Sequence, residues 1–462
     1  MKYIRQDDTI IALSTPLGNG AIAVIRISGE EALSILNPLL KRTIRSTDAR
    51  KALFNEFISS SQSVVDQIVT TFFKSPASYT GEDVVEISCH CNPLIINRII
   101  DEIIRNDARV AEPGEFTLRA FLNGKMDLSQ AEAVAEIINA RTRQSLTQSL
   151  RHLEGRFSEI IAKIHRQILN NLALLEINLD FSDEEIEVLP VREMAEKMTG
   201  VIERIQGLLK TYDYGRLLQE GVKMLILGKP NVGKSSLLNV LLARDRAIVS
   251  EIPGTTRDYI EATMEIDGLA VQAVDTAGIR QTEDTVEAIG VQLALAQIES
   301  SDIALCLFDA HRPLDDDDHA LIKIIQDRLQ DTLFVLILNK SDLKRNAKTE
   351  TAIKSLNLPT VRVSAKTQTN IQSLKRTIKK QLIHDQSMET EEIVVTSARH
   401  KQALENTVRS LQNAIAAMEM NASEEIIAVD IRLALDHLGE ITGETTSEDV
   451  LNHIFANFCI GK

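Results

Sequence analysis

The amino-acid sequence predicts an α/β chain with an all-α part. It comprises a mixed α/β N-terminal domain, a helical bundle, and an inserted phosphate-loop domain on a doubly wound, mostly parallel sheet. Three observations carry that prediction. Gly228-Lys229-Pro230-Asn231-Val232-Gly233-Lys234-Ser235 follows the apolar run Met224-Leu225-Ile226-Leu227 and opens an amphipathic stretch from Ser236 to Leu242, which is strand, tight loop and helix in order. Strand and helix patterns then alternate from 222 to about 384. By contrast, 120–221 and the chain from about Ser397 onward carry a helical period, so the phosphate-loop module interrupts two helical stretches.

At 462 residues the chain is long enough for two to four domains, each burying its own core. A hydrophobic content of 44% and a charged content of 25% are ordinary for globular protein. No run of about 18 apolar residues spans a membrane. Met1 to Asp8 is no signal peptide, so the cytoplasm is expected. Cys89, Cys91, Cys306 and Cys459 are too scattered for a disulfide framework. The formal net charge is −15 and no basic stripe appears, so a protein that grips nucleic acid unaided is not expected. If RNA is involved, another subunit supplies much of the grip.

Taken in order, Thr9–Leu13 and Ala21–Ile27 are β-branched runs separated by Pro16, Gly18 and Gly20. Val84–Cys89 is a further strand, Leu94–Ile104 a helix, and Pro113-Gly114 a turn. Cys89-His90-Cys91 lacks two further ligands at metal-binding spacing and reads as strand packing. Ser129-Gln130-Ala131-Glu132 has the form of a capping box ahead of Ala133–Ile138. Long amphipathic segments continue to Leu179 and, after Pro190, from about Arg192 to Leu218. Within the inserted module, Asp267-Gly268 is a two-residue hairpin signal between Ile260–Ile266 and Leu269–Val274. Ile303–Phe308, Leu333–Leu338 and Val361–Val363 are its remaining strands. The run Asp315-Asp316-Asp317-Asp318 reads as a solvated helix N-terminus favoured by the helix dipole.

Five loops in a fixed order define the chemistry. Glycines turn backbone N–H groups onto phosphates at a helix N-terminus, which makes Asn231, Val232, Gly233, Lys234, Ser235 and Ser236 candidate contacts. Lys234 would reach the β- and γ-phosphates, and the Ser235 hydroxyl would ligate Mg²⁺. Thr256, in Gly254-Thr255-Thr256-Arg257-Asp258, could complete the Mg²⁺ shell. Asp275-Thr276-Ala277-Gly278 ends a strand, with Asp275 acting on Mg²⁺ through water and Gly278 N–H meeting the γ-phosphate. In Asn339-Lys340-Ser341-Asp342 the carboxylate of Asp342 can accept from both N1–H and the exocyclic amine of guanine, a donor pair adenine lacks. Ser364-Ala365-Lys366 supplies the loop beneath the base. Guanine is therefore the expected base. Ile279 stands where Ras-like enzymes carry the water-orienting Gln, so another group must position water. Arg280, Glu283, Asp284 and Glu287 are the candidates nearby, and each taken alone reads more readily as an exposed helix charge.

This joint pattern resembles the translation-factor-related small GTPases, with a Ras-like G domain. Along its whole length the chain resembles the MnmE (TrmE) family, GTPases of bacterial tRNA wobble-uridine modification. The likeness rests on Ile25-Arg26-Ile27-Ser28-Gly29, Ser78-Tyr79-Thr80-Gly81-Glu82-Asp83, Pro113 to Thr117, Arg119 to Leu128, Gln130 to Ala133 and Phe458-Cys459-Ile460-Gly461-Lys462. One departure is His90-Cys91-Asn92 where the family has His-Gly-Gly, and non-glycine residues avoid positive φ.

The resemblance implies an N-terminal folate-binding and dimerisation domain (1–120), a helical domain in two parts (121–220 and 385–462) and an inserted G domain (221–384). It implies a tetrahydrofolate, the 5,10-methylene or 5-formyl form, near Arg26, Glu86, Lys125 and Lys462. It further implies K⁺ held by Asn231, Ser250, Ile252 and Thr255, which would do the work of an arginine finger, and Glu287 orienting the attacking water. Cys459 is implied in tRNA modification, as a candidate nucleophile. The implied assembly is a homodimer with the FAD-containing MnmG, in a heterotetramer or larger complex in which the partner carries most of the tRNA contact. It would add an aminomethyl-type group to uridine C5. A ribosome-assembly GTPase of the Era or Der kind is the alternative, since those proteins share the five loops.

Overall fold

The computed structural model describes residues 8–18, 20–180, 191–244, 262–274, 297–329, 332–383 and 393–462. Its contacts divide the chain into two units. The first comprises Met1–Ala135, His152–Val188 and Glu419–Lys462; the second comprises Glu136–Arg151 and Leu189–Met418. No described helix is long and apolar enough to cross a membrane.

The first unit is built on a six-stranded sheet of β1 (Thr9–Leu13), β2 (Ile22–Ser28), β3 (Ala52–Ile58), β4 (Val64–Phe73), β5 (Val84–His90) and β6 (Ala108–Val110), in the order β3-β4-β5-β2-β1-β6. All neighbours are antiparallel except β1 and β6, which are parallel. Alternation along β2 sends Ala23, Ile25 and Ile27 into one core, with Ile96, Ile99 and Ile103 of the helix Pro93–Ile104. It sends Val24 and Arg26 to the other face. The Asn92 side chain accepts from Leu94 N, and Pro93 opens the helix. Asn92 sits at φ −119°, so the departure from His-Gly-Gly needs no left-handed backbone there and gains a helix cap.

The capping box forms two residues earlier than Ser129. The helix starts at Leu128, Gln130 N donates to Asp127 Oδ1 (2.9 Å), and Asp127 N donates to Gln130 Oε1 (3.0 Å). Ser129 lies inside the helix and hydrogen-bonds Ser158 instead. A separate cluster brings Leu118, Leu128 and Ala131 together with Phe455 and Phe458 from the C-terminal end of the chain.

The second unit holds the sheet β12-β11-β10-β7-β9-β8, from β7 (Val222–Leu227), β8 (Ala262–Ile266), β9 (Leu269–Val274), β10 (Ile303–Asp309), β11 (Leu333–Asn339) and β12 (Thr360–Arg362). Only β8 is antiparallel, joined to β9 by Asp267 (φ +47°) and Gly268 (φ +93°), the left-handed pair a two-residue hairpin requires. β10 and β11 are buried almost throughout, as the inner strands of a sheet covered on both faces must be.

The acidic run caps a helix, as its composition suggested, but it is not simply solvated. Asp315 is the N-cap of Asp316–Asp327, and Asp318 is 2% exposed because both carboxylates close on Lys229. Among the described residues no group of three or more His, Cys, Asp or Glu is arranged to hold a metal ion.

Candidate nucleotide site

The phosphate loop joins the end of β7 to the helix Lys234–Arg244. Asn231 takes φ +61° and Gly233 φ +105°. Ser235 and Ser236 are exposed at the start of the helix, where an N-terminus favours anions and a hydroxyl is free to meet a cation. Lys234 Nζ donates to Gly228 O (2.6 Å) and Lys229 O (3.1 Å), so its ammonium is braced against the loop's own carbonyls.

Asn339 ties the phosphate end of the site to the base end. Its Nδ2 donates to Val232 O (2.8 Å) and its Oδ1 accepts from Ala365 N (3.1 Å), with the side chain buried. Lys340, at φ +63°, donates to Asp309 Oδ2 (2.7 Å) at the end of β10. Asp342 Oδ1 accepts from Ser364 Oγ (2.6 Å). That hydrogen bond, its own backbone N–H and the charges of Lys366 and Lys340 hold its carboxyl below the usual carboxylate range. An ionised, oriented acceptor is what guanine's adjacent N1–H and amine require. The described residues thus suit a guanine nucleotide with its metal: Lys234 and the loop amides for the phosphates, Ser235 for Mg²⁺, Asp342 for the base.

Sequence patterns gave no sign that Lys229 pairs with Asp315 and Asp318, or Lys340 with Asp309. Lys229 Nζ lies 2.6 Å from Asp315 Oδ2 and 2.7 Å from Asp318 Oδ2. Burial opposes its charge, but the two hydrogen bonds outweigh that and its pKa is raised. Lys229 occupies a position the phosphate-loop pattern leaves open, and its partners lie 86 and 89 residues away. Ser250, Ile252, Thr255, Thr256, Asp275, Thr276, Ala277, Gly278 and Glu287 lie outside the described residues.

A second cluster lies on the first unit's sheet. Arg26 and Glu86 are cross-strand partners, with Arg26 Nη2 2.7 Å from Glu86 Oε1. The guanidinium sits 5.3 Å from the Tyr79 ring centroid and 5.7 Å from that of Phe116. Gly461 O accepts from Ser14 Oγ (3.3 Å) and, at 3.5 Å, from Arg26 Nη1, which brings the C-terminal residues to this group. Burial and then the Arg26 charge lower the Lys462 pKa. Lys125 has different partners: its Nζ donates to Pro76 O (2.8 Å) and its stem lies against Gly81. Cys459 is an exposed free thiol. Paired charges beside aromatic rings suit a heterocycle carrying a carboxylate tail, which fits a folate.

A phosphate loop opening a helix, braced through Asn339 to a loop with an ionised carboxylate, defines a P-loop GTP-binding domain carried by a larger chain. The model of the MnmE helical domain matches residues 128–459, and that of the GTP-binding protein TrmE N-terminus matches 9–125. The tRNA modification GTPase MnmE of Moorella thermoacetica is 42% identical over 470 residues, covering 99% of this chain and 100% of that protein. That of Clostridioides difficile is 40% identical over 461 residues, covering 99% of each. Among solved structures, the G domain of the T. maritima FeoB iron transporter is 24% identical, covers 34% of this chain and 97% of its own, and has a TM-score of 0.26. The chain belongs to the MnmE family.

Proposed function

We propose that this chain hydrolyses GTP in the service of tRNA wobble-uridine modification. It would work as a homodimer in the cytoplasm, with the FAD-containing MnmG as its partner in a heterotetramer or larger complex. Family membership over nearly the whole chain supports the tRNA reading, and it sets aside the Era or Der alternative. The observation that carries the GTPase reading is the Asn339 brace, which joins Val232 of the phosphate loop to Ala365 of the base loop.

In this reading Lys234 neutralises charge on the β- and γ-phosphates, Ser235 and Thr256 hold Mg²⁺, and Asp342 selects guanine. Asn231, Ser250, Ile252 and Thr255 hold K⁺, which supplies the positive charge an arginine finger provides elsewhere, and Glu287 orients water. Arg26, Glu86, Lys125 and Lys462 hold a tetrahydrofolate that supplies the carbon for uridine C5, with Cys459 as the candidate nucleophile. The acidic chain leaves most of the tRNA contact to MnmG.

A deletion strain should lack the modified wobble uridine. Wild-type chain should restore it and Lys234→Ala should not; restoration by Lys234→Ala would separate the modification from GTP turnover. Replacing K⁺ with Na⁺ should slow turnover greatly, and Asn231→Ala should abolish that preference while leaving guanine nucleotide bound. Equal rates in the two salts would contradict the cation reading.

A further inference from the structure

We propose that Lys229 is a positioning residue for GTP hydrolysis. Clamped by Asp315 and Asp318, it fixes the first half of the phosphate loop, whose carbonyls in turn fix Lys234.

Each link is a contact. Lys234 Nζ donates to Gly228 O and Lys229 O, so its position follows the path of these two residues. Lys229 is the only one of the two with a side chain to anchor that path. Its side chain is 13% exposed, and its ammonium is shared between two carboxylates.

The carboxylates are themselves fixed. Asp318 N donates to Asp315 Oδ1 and Asp315 N donates to Asp318 Oδ2, both at 3.2 Å, a reciprocal cap on the first turn of Asp316–Asp327. Ile325 of the same helix is buried in the core beside β10, so the clamp stands on a rigid element. Asp318 Oδ1 is buried with no hydrogen-bond partner among the described residues. A carboxylate kept there at a desolvation cost is poorly explained as a surface ion pair. Its service is to hold the loop.

The hydrogen bonds of the Lys229, Asp315 and Asp318 side chains among the described residues go to one another and to the first turn of Asp316–Asp327, not to the base loop. Loss of the clamp should therefore misplace Lys234 in the hydrolytic step more than it weakens nucleotide binding. A misplacement of about 1 Å at a reacting centre costs up to roughly a hundredfold.

The test compares Lys229→Met, Asp318→Asn, their combination and Lys229→Arg in the full-length protein. It reads kcat for GTP, affinity for a fluorescent GDP, and the melting temperature. Lys229→Met and Asp318→Asn should each lower kcat about ten- to a hundredfold with GDP affinity within about threefold of wild type. Combined, they should do little more than Lys229→Met alone, because that substitution already removes both ion pairs, whereas Asp318→Asn leaves the pair with Asp315 in place. Lys229→Arg should restore most of kcat. Unchanged kcat in Lys229→Met would overturn the proposal. So would a parallel fall in kcat, GDP affinity and melting temperature, which marks a purely structural pin.

Discussion

Gly233→Ala is the sharpest probe of the nucleotide site, because the surroundings of this glycine dictate the outcome. Gly233 holds φ +105°, and a Cβ there would collide with Asn339 Nδ2. Holding an alanine in left-handed backbone costs roughly 1–2 kcal/mol. The collision would be mild against a free side-chain end, but Asn339 is not free. It can retreat only by releasing Val232 O and Ala365 N, two bonds worth about 0.5–1.5 kcal/mol each. The total is about 2–5 kcal/mol, or roughly 30- to 5,000-fold in affinity.

Most of that cost should appear in binding rather than in stability. Without nucleotide the loop can relax to another path, and nucleotide must then restore the strained one. Fluorescent-GDP titration should show the loss, while the nucleotide-free melting temperature moves little. Asn339→Ala should cost about 1–3 kcal/mol, and in that background Gly233→Ala should add only its backbone strain. GDP affinity within threefold of wild type in Gly233→Ala would refute the argument, as would full additivity in the double variant.

Asp342→Asn should weaken GDP binding by about 1–3 kcal/mol or more and favour xanthosine diphosphate, because the amide presents a donor where guanine also donates; unchanged selectivity in competition titrations would remove Asp342 from base recognition. Gly461→Ala should release the C-terminal residues from β1, since the position holds φ +93° and a Cβ would strike Leu13 O, which is backbone and cannot swing aside. Faster amide exchange at the C-terminal peptide is the expected reading, and wild-type protection would contradict it. In the first unit, Arg119 pairs with Asp8, Glu82 and Glu115 while almost fully buried. Burial opposes ionisation of Asp8 and Glu115, yet hydrogen bonds from Arg109 and the adjacent Arg119 guanidinium hold both below their ordinary values of 3.8 and 4.5. Their stabilisation is therefore full above those values and lost as pH falls beneath them. Arg119→Met should cost this unit about 3–5 kcal/mol and reduce its acid dependence in that window, the remainder being held by Arg109, measured by denaturant unfolding from pH 2 to 6; an unaltered acid profile would disprove the linkage.

How legible each feature was in the sequence follows from what satisfies it. Phosphate and guanine demand particular residue types at fixed spacing, so Gly228–Ser235 and Asn339–Asp342 announce themselves. Strands β3 and β4 carry no ligand chemistry, and their exposed face includes Phe54 and Val69, which blurs the period of two that would reveal them. Two capping boxes overlap at Asp127–Glu132, and the choice between them is tertiary, since Ser129 turns to Ser158.

The least legible features are charges answered by other parts of the chain. Asp315-Asp316-Asp317-Asp318 looks alike whether water or Lys229 faces it, because the run encodes a helix cap in either case. What differs is burial, and that is fixed by the distant loop rather than by the run. Asn339 carries the converse lesson. Its motif marks it as a base-loop residue, yet its described bonds go to Val232 and Ala365. A loss of affinity in Asn339→Ala would then include the coupling of phosphate loop to base loop, and reading all of it as a base contact would overstate that contact.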